Sequence, residues 1–149
     1  MQGKRCFFIG HRDTTEDVLP ALREAVDQHI TEYSVTEFLI GRYGRFDRLA
    51  AQCVMEAKQV HPEIMLTMLL PYYPAEEKLS LPKGFDGSCY PFGQETVPRQ
   101  AAIVRANRYA VDHSDYLIAY VWHAASNARN IIDYAQSRNR IQIYMIQYH

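Results

Sequence analysis

Apolar residues along the chain fall into short blocks, and their spacing alternates between two periods. Cys6-Phe7-Phe8-Ile9 is a continuous apolar run stopped by Gly10, the pattern of a strand buried on both faces. Val18, Leu22, Ala25, Val26 and then His29 or Ile30 recur at helical spacing. Pro20 fits a helix that starts near Glu16 or Asp17, because first-turn amides have no partner inside a helix. Glu37-Phe38-Leu39-Ile40-Gly41 predicts a second strand that also ends in glycine. After "RYGRFD" the stripe Phe46, Leu49, Ala50, Cys53, Ala57, Val60 predicts a second helix, closed by Pro62. Ile64 to Leu70 reads as a third strand, stopped by Pro71.

Residues 71–98 differ in kind: they are rich in Pro, Gly and Tyr, show no clear period, and read as a long loop of the sort that forms lids or binding loops. Helical spacing returns with Ala102, Ala106, Tyr109 and Ala110, and Asp112-His113-Ser114 reads as that helix's end, with His113 complementing its dipole. Tyr116 to Val121 predicts a fourth strand. Ser126-Asn127 offers an N-cap to a helix whose apolar face is Ala128, Ile131, Ile132 and Ala135, and Ile141 to Ile146 predicts a final strand. The order β-α-β-α-β-loop-α-β-α-β predicts an α/β fold: a Rossmann-like three-layer α/β/α arrangement with a mostly parallel sheet of about five strands. No internal repeat or linker divides residues 1–149, so a single domain is expected.

Composition narrows the partners. The 149 residues are 48% hydrophobic and 22% charged, enough apolar material for a real core. The formal net charge is -1 and the sequence pI about 6.6, with no basic stripe, which argues against nucleic acid as a partner. The three cysteines, 6, 53 and 89, form no CxxC pair, so no thiolate metal site is expected. Cys6 and Cys53 fall on apolar faces and read as small hydrophobes. No apolar stretch approaches the roughly 18–20 residues that span a bilayer, and no signal peptide is apparent, so a cytoplasmic protein with no membrane partner is expected. The Tyr-rich segments and the apolar final strand suggest a homo-oligomer.

In open parallel α/β sheets, ligands bind beyond the carboxyl ends of the strands. That rule gathers Gly10-His11-Arg12, Gly41 to Asp47, the stretch after Leu70, and Trp122 to Asn127 on one edge. Gly10 and Gly41 either let backbone amides approach a ligand or merely end strands. Arg12, Arg42, Arg45, Arg99 and Arg105 lie in or near these segments and could grip a phosphate, with Arg12 the foremost; otherwise they are surface residues. Tyr43, Phe46, Tyr72 and Tyr73 offer faces for stacking a base, although Phe46 also begins a core stripe. Asp47, in a first helical turn, either caps that helix, holds a ribose hydroxyl, or serves as a carboxylate on a glycosidic carbon. Glu95 is a poorer candidate, and Asp115 belongs to the opposite edge. His11 and His123 face one edge from two strands, more in keeping with hydrogen bonding than with a metal site.

The stretches "CFFIGHR", "GRYGRFDRLA" and "VPRQAAIVRANRYAVDHSDYLIAYVWHAASNARN" together resemble a bacterial branch of the SLOG superfamily, the Rossmann-like group named from the Smf/DprA and LOG proteins. The resemblance implies binding of nucleotides or nucleotide-derived ligands. It assigns contacts to Gly10, His11 and Arg12, to Gly41, Tyr43, Gly44 and Asp47, and to Ser126 and Asn127. Some members cleave N-glycosidic bonds of nucleoside monophosphates and others bind single-stranded DNA. The hydrolase branch carries a PGGxGTxxE loop after its fourth strand. Here that stretch reads "WHAASNARNIIDYA", without the glycine pair, the Thr or the catalytic Glu. The resemblance therefore favours a binding or sensing protein for a nucleotide-type ligand with no other cofactor. N-glycosidic hydrolysis or transfer through Asp47, and association with single-stranded DNA, are the alternatives.

Overall fold

Six strands form one parallel sheet in the computed structural model, which describes residues 3–42, 44–72, 81–91, 96–123 and 125–148. The strands are β1 (Lys4–Gly10), β2 (Val35–Ile40), β3 (Met65–Leu69), β4 (Gly87–Cys89), β5 (Tyr116–Tyr120) and β6 (Gln142–Met145). The helices are α1 (Leu19–Thr31), α2 (Arg45–Val60), α3 (Arg99–Asp112) and α4 (Asn127–Arg138). The sheet order is β4-β3-β2-β1-β5-β6, with every pairing parallel. The fold is the expected Rossmann-like α/β arrangement.

The apolar blocks explain the layers. In β1, Cys6, Phe7, Phe8 and Ile9 are all buried because the strand is central and covered on both faces. Cys6 and Phe8 join the core under α1 and α2, with Leu22, Val26, Phe38, Phe46 and Ala50. Phe7 and Ile9 join the core under α3 and α4, with Ala106, Ala110, Ile131 and Ile132. One alternating strand thus serves two hydrophobic cores.

Two expectations need correction. The sheet has six strands rather than about five, because β4 lies inside the stretch read as a loop. Gly87-Ser88-Cys89 has no hydrophobic period to announce it; its strand character comes from main-chain pairing with Thr67, Met68 and Leu69. The first helix is also preceded by a separate 3-10 turn, Glu16–Val18, with Pro20 in the first turn of α1. The cysteines behave as hydrophobes: Cys6 and Cys53 are buried, and burial pushes the Cys53 thiol up to about 12. Among the described residues, no helix is long and apolar enough to cross a membrane.

His29 shows what the α1 core demands of a polar side chain. It is 1% exposed, its Nδ1–H donates to the Ala25 carbonyl at 2.6 Å, and its ring meets Tyr33, Tyr116 and Tyr144 edge-on. Burial lowers its pKa from the usual 6.5, partly offset by that hydrogen bond. The unfolded chain then takes up the proton first, so stability is full above pH 6.5 and falls as pH drops below it. Urea unfolding at pH 7.5 and pH 5 is expected to show this loss, and His29→Phe to reduce it. A wild-type midpoint that does not move between those pH values overturns the assignment.

Candidate functional site

The carboxyl edge of the sheet holds a cleft of about 270 Å³. β1 and its following turn contribute Gly10, His11 and Arg12 to its lining. The turn after β2 and the first turn of α2 add Gly41, Arg42 and Asp47, and the start of α4 adds Ser126 and Asn127. Pro71, Ile103, Ala106 and Asn107 complete the wall from the β3 end and α3.

The turns are held by close contacts. A Cβ on Gly10 would lie 2.3 Å from the Phe46 ring, so the space glycine leaves is taken by a core aromatic. Gly44 caps α2 at φ 98° and ψ 165°, a backbone region that side chains disfavour. Its Cβ would lie 2.8 Å from the Arg12 Cα, and the Arg45 amide donates to the Arg12 carbonyl at 3.0 Å. The α2 start and the Arg12 turn are therefore one rigid joint. A Cβ on Gly41 would lie 2.9 Å from Asp47 Oδ2, which brings that carboxylate against the strand end.

His11 is a structural linker. It is 7% exposed, and its Nε2 accepts from the backbone amides of Trp122 at 3.1 Å and His123 at 3.3 Å. The proton of the neutral ring therefore sits on Nδ1. Its ring packs edge-on against Trp122 and His123, and Trp122 stacks on Tyr148. Burial, then the His123 charge, lower the His11 pKa, while Asp13 opposes them. His123 is exposed, with Nε2 4.0 Å from the Asp13 carboxylate. Among the described residues, no group of three or more His, Cys, Asp or Glu is placed to hold a metal ion.

Ser126 is the N-cap of α4: its Oγ accepts from the Arg129 amide at 3.0 Å. Asn127 and Ala128, ahead of Arg129 in the first turn, line the cleft, and first-turn amides have no partner within the helix.

Other expected residues stand apart. Gly44 supports the Arg12 turn from outside the lining. Arg99 opens α3 with its guanidinium 4.8 Å over the Tyr72 ring. Arg105 is exposed on α3 and does not line the cleft. Phe46 is 1% exposed and belongs to the core. Asp115 sits at the opposite edge, accepting from the Arg5 amide at 3.0 Å. Tyr43, Tyr73 and Glu95 lie outside the described residues. The structure adds Asn107, which follows Ala106 on α3. As a neutral carboxamide beside an apolar stripe, Asn107 carries none of the acid, base or glycine signals that mark the other lining residues in the sequence.

Two solved structures of DNA processing protein A superpose on the chain. The Helicobacter pylori protein, described as having a unique single-stranded DNA binding mode, matches with a TM-score of 0.71 and 14% identity, over 99% of this chain and 67% of that one. The Streptococcus pneumoniae DprA matches with a TM-score of 0.71 and 12% identity, over 99% of this chain and 51% of that one. The chain thus spans about two thirds of one neighbour and half of the other. No family model matches, and no curated protein matches. Nucleic acid, disfavoured as a partner by net charge, is not excluded: a protein of similar fold is described as binding single-stranded DNA. A net charge of -1 averages over the chain and says nothing of one edge, where Arg12 and Arg42 line the cleft. The chain is similar in fold, over nearly its whole length, to the DprA proteins.

Proposed function

We propose that this chain is one Rossmann-like unit that binds a nucleotide-type ligand at the carboxyl edge of its sheet, phosphate first. The observation that carries the reading is that Arg12 and the first residues of α4, Asn127 and Ala128, line one cleft. Helix N-terminal amides and a guanidinium are both suited to a phosphate, and together they fix its position and charge. Asn127, beside them, supplies a neutral donor. Asp47 is the acid of the described cleft lining, and a carboxylate suits a ribose hydroxyl better than a phosphate.

Thermal melts with nucleoside monophosphates test this. A ligand at a hundred times its Kd stabilises the native state by about 2.7 kcal/mol, an increase of several degrees in Tm for a chain of this size. Arg12→Ala is expected to weaken binding by roughly tenfold or more, since hydrogen bonds to charged groups contribute about 1.5–3 kcal/mol. If no nucleotide shifts the melt, or Arg12→Ala leaves the shift intact, the reading fails.

A second reading, in which the nucleotide is part of single-stranded DNA, is favoured by the likeness to the Helicobacter pylori protein. Fluorescence anisotropy with labelled oligo-dT at several salt concentrations separates the two. Strand binding falls steeply with salt, and losing a phosphate contact makes that dependence shallower. Release of free base from a nucleoside monophosphate, abolished in Asp47→Asn, is the result expected if the site also turns its ligand over.

A further inference from the structure

The cleft is small for its proposed ligand. At about 270 Å³ it falls just below the roughly 300–1,000 Å³ usual for small-molecule sites, room for a phosphate and little more. The rest of a nucleotide must leave it. Two larger hollows share lining residues with the cleft. One, of about 680 Å³, shares Gly41, Arg42 and Asp47 with it and runs along α2 to Met55 and Phe85. The other, of about 820 Å³, shares Arg12, Ile103, Asn107 and Asn127 and runs between α3 and α4.

Their chemistry differs. The α2 hollow places Asp47, an acid, where it joins the cleft. Its Gln52 amide is already engaged with Glu56, which is itself paired with Arg23. The α3–α4 groove has an apolar floor of Ile103, Val104 and Ile131 and a rim of carboxamides; its lining also includes Arg108 and Asp133, the latter paired with Arg129 at 3.3 Å. The spacing makes this a built feature. On α3, Gln100, Ile103, Val104, Asn107 and Arg108 fall on one face; on α4, Asn127, Asn130, Ile131 and Tyr134 do the same. Crossover helices in a parallel sheet run side by side, so the two stripes face one another from the carboxyl edge downward. The Asn107, Asn127 and Asn130 side chains have no hydrogen-bond partner among the described residues. At the far end Tyr134 is fixed by its hydroxyl, which donates to Asp112 at 2.8 Å, with Arg108 5.1 Å over its ring. From Asn127 to Tyr134 the helix rises by about 10 Å, the reach of a sugar and a base.

We infer that the α3–α4 groove is the nucleobase subsite of the ligand whose phosphate occupies the cleft. An apolar floor suits the flat face of a base. Carboxamides, each with a donor and an acceptor, suit its hydrogen-bonding edge, as Asn and Gln do when they read adenine. Arg12 and Asn127 sit where the two volumes join and hold the phosphate and sugar between them. The inference rests on the nucleotide reading above and adds where the base goes and what reads it.

Isothermal titration with AMP, GMP, CMP, UMP and the baseless ribose 5-phosphate tests it. At least one nucleotide is expected to bind roughly tenfold tighter than ribose 5-phosphate, the gain one amide–base contact gives. Asn130→Ala, remote from the cleft lining, is expected to remove most of that gain and to leave ribose 5-phosphate binding within about twofold. Equal affinity for ribose 5-phosphate and all four nucleotides overturns the subsite while leaving the phosphate reading standing. So does a gain that survives Asn130→Ala but is lost in Met55→Lys, which puts the base along α2. Failure of every probe overturns both readings.

Discussion

Replacing Gly10 with alanine is expected to lower stability by about 3 kcal/mol, the upper range for overpacking a filled core. The added methyl would lie 2.3 Å from the Phe46 ring, well inside any tolerable contact. Phe46 has little freedom to retreat: it is 1% exposed and lies between Phe8 and Tyr120, each 6.4 Å away between ring centroids. For a domain whose total stability is typically about 5–15 kcal/mol, this is a large fraction. The mechanism makes a sharper statement than the magnitude. Phe46→Leu alone also costs stability, but the pair Gly10→Ala with Phe46→Leu should cost less than the sum, because a smaller side chain makes room for the methyl. Urea unfolding of the four proteins gives the coupling, expected at about 1 kcal/mol or more in the favourable direction. Additive costs would show that Gly10 is required for some reason other than Phe46.

Gly44→Ala is expected to do comparable damage by a different route and to reach the site as well. Its φ of 98° and ψ of 165° place it where a Cβ adds strain of about 1–3 kcal/mol, and its nearest obstacle is the Arg12 backbone, which cannot rotate away as a side chain could. Relief requires the Arg12 turn and the start of α2 to separate, which lengthens the Arg45 to Arg12 hydrogen bond. A stability loss of about 3 kcal/mol should therefore come with weakened nucleotide binding in the fraction that remains folded. Gly87→Ala is the control: nothing lies within 4 Å of its Cβ, and its effect on both measurements should be small. Equal behaviour of the two variants, or a Gly44→Ala protein that binds as tightly as wild type, would refute the joint.

How much of this was legible in the sequence depends on which force makes each element. Where burial makes the element, the residues announce it: Cys6 to Ile9, Phe38 to Ile40 and Leu117 to Ala119 are buried on both faces and read as apolar runs. Where main-chain pairing alone makes it, they do not, and β4 passed for loop. The gathering of Gly10, Arg12, Gly41, Asp47 and Ser126 on one edge followed from topology, since parallel strands point their carboxyl ends the same way. The purpose of the glycines did not follow. Gly10 reads either as a place for a ligand to approach or as a strand end, and neither reading contains Phe46, a contact 36 positions away that no local pattern encodes. Net charge is blind to the cleft for a related reason: it sums over residues that the fold sends to opposite edges. The amide rim between α3 and α4 stayed hidden because Asn107 and Asn130 are ordinary surface residues until two helices face one another.

The position of β1 carries a consequence for how the chain is made. Of the six strands described it is the earliest in the sequence, and it lies in the middle of the sheet, flanked by β2 on one side and β5 on the other. β2 and β3 follow soon after, through local βαβ units. The other flank waits for residues 116–120, and the Arg5 amide meets the Asp115 carboxylate across 110 positions. A ribosome that has finished α2 has therefore released a half-sheet whose most hydrophobic strand, Cys6-Phe7-Phe8-Ile9, still has an open edge. Non-local parallel pairing of this kind forms slowly, and an open apolar edge is what other unfinished chains pair with. Until β5 arrives, that edge of β1 has no strand of its own sheet to pair with.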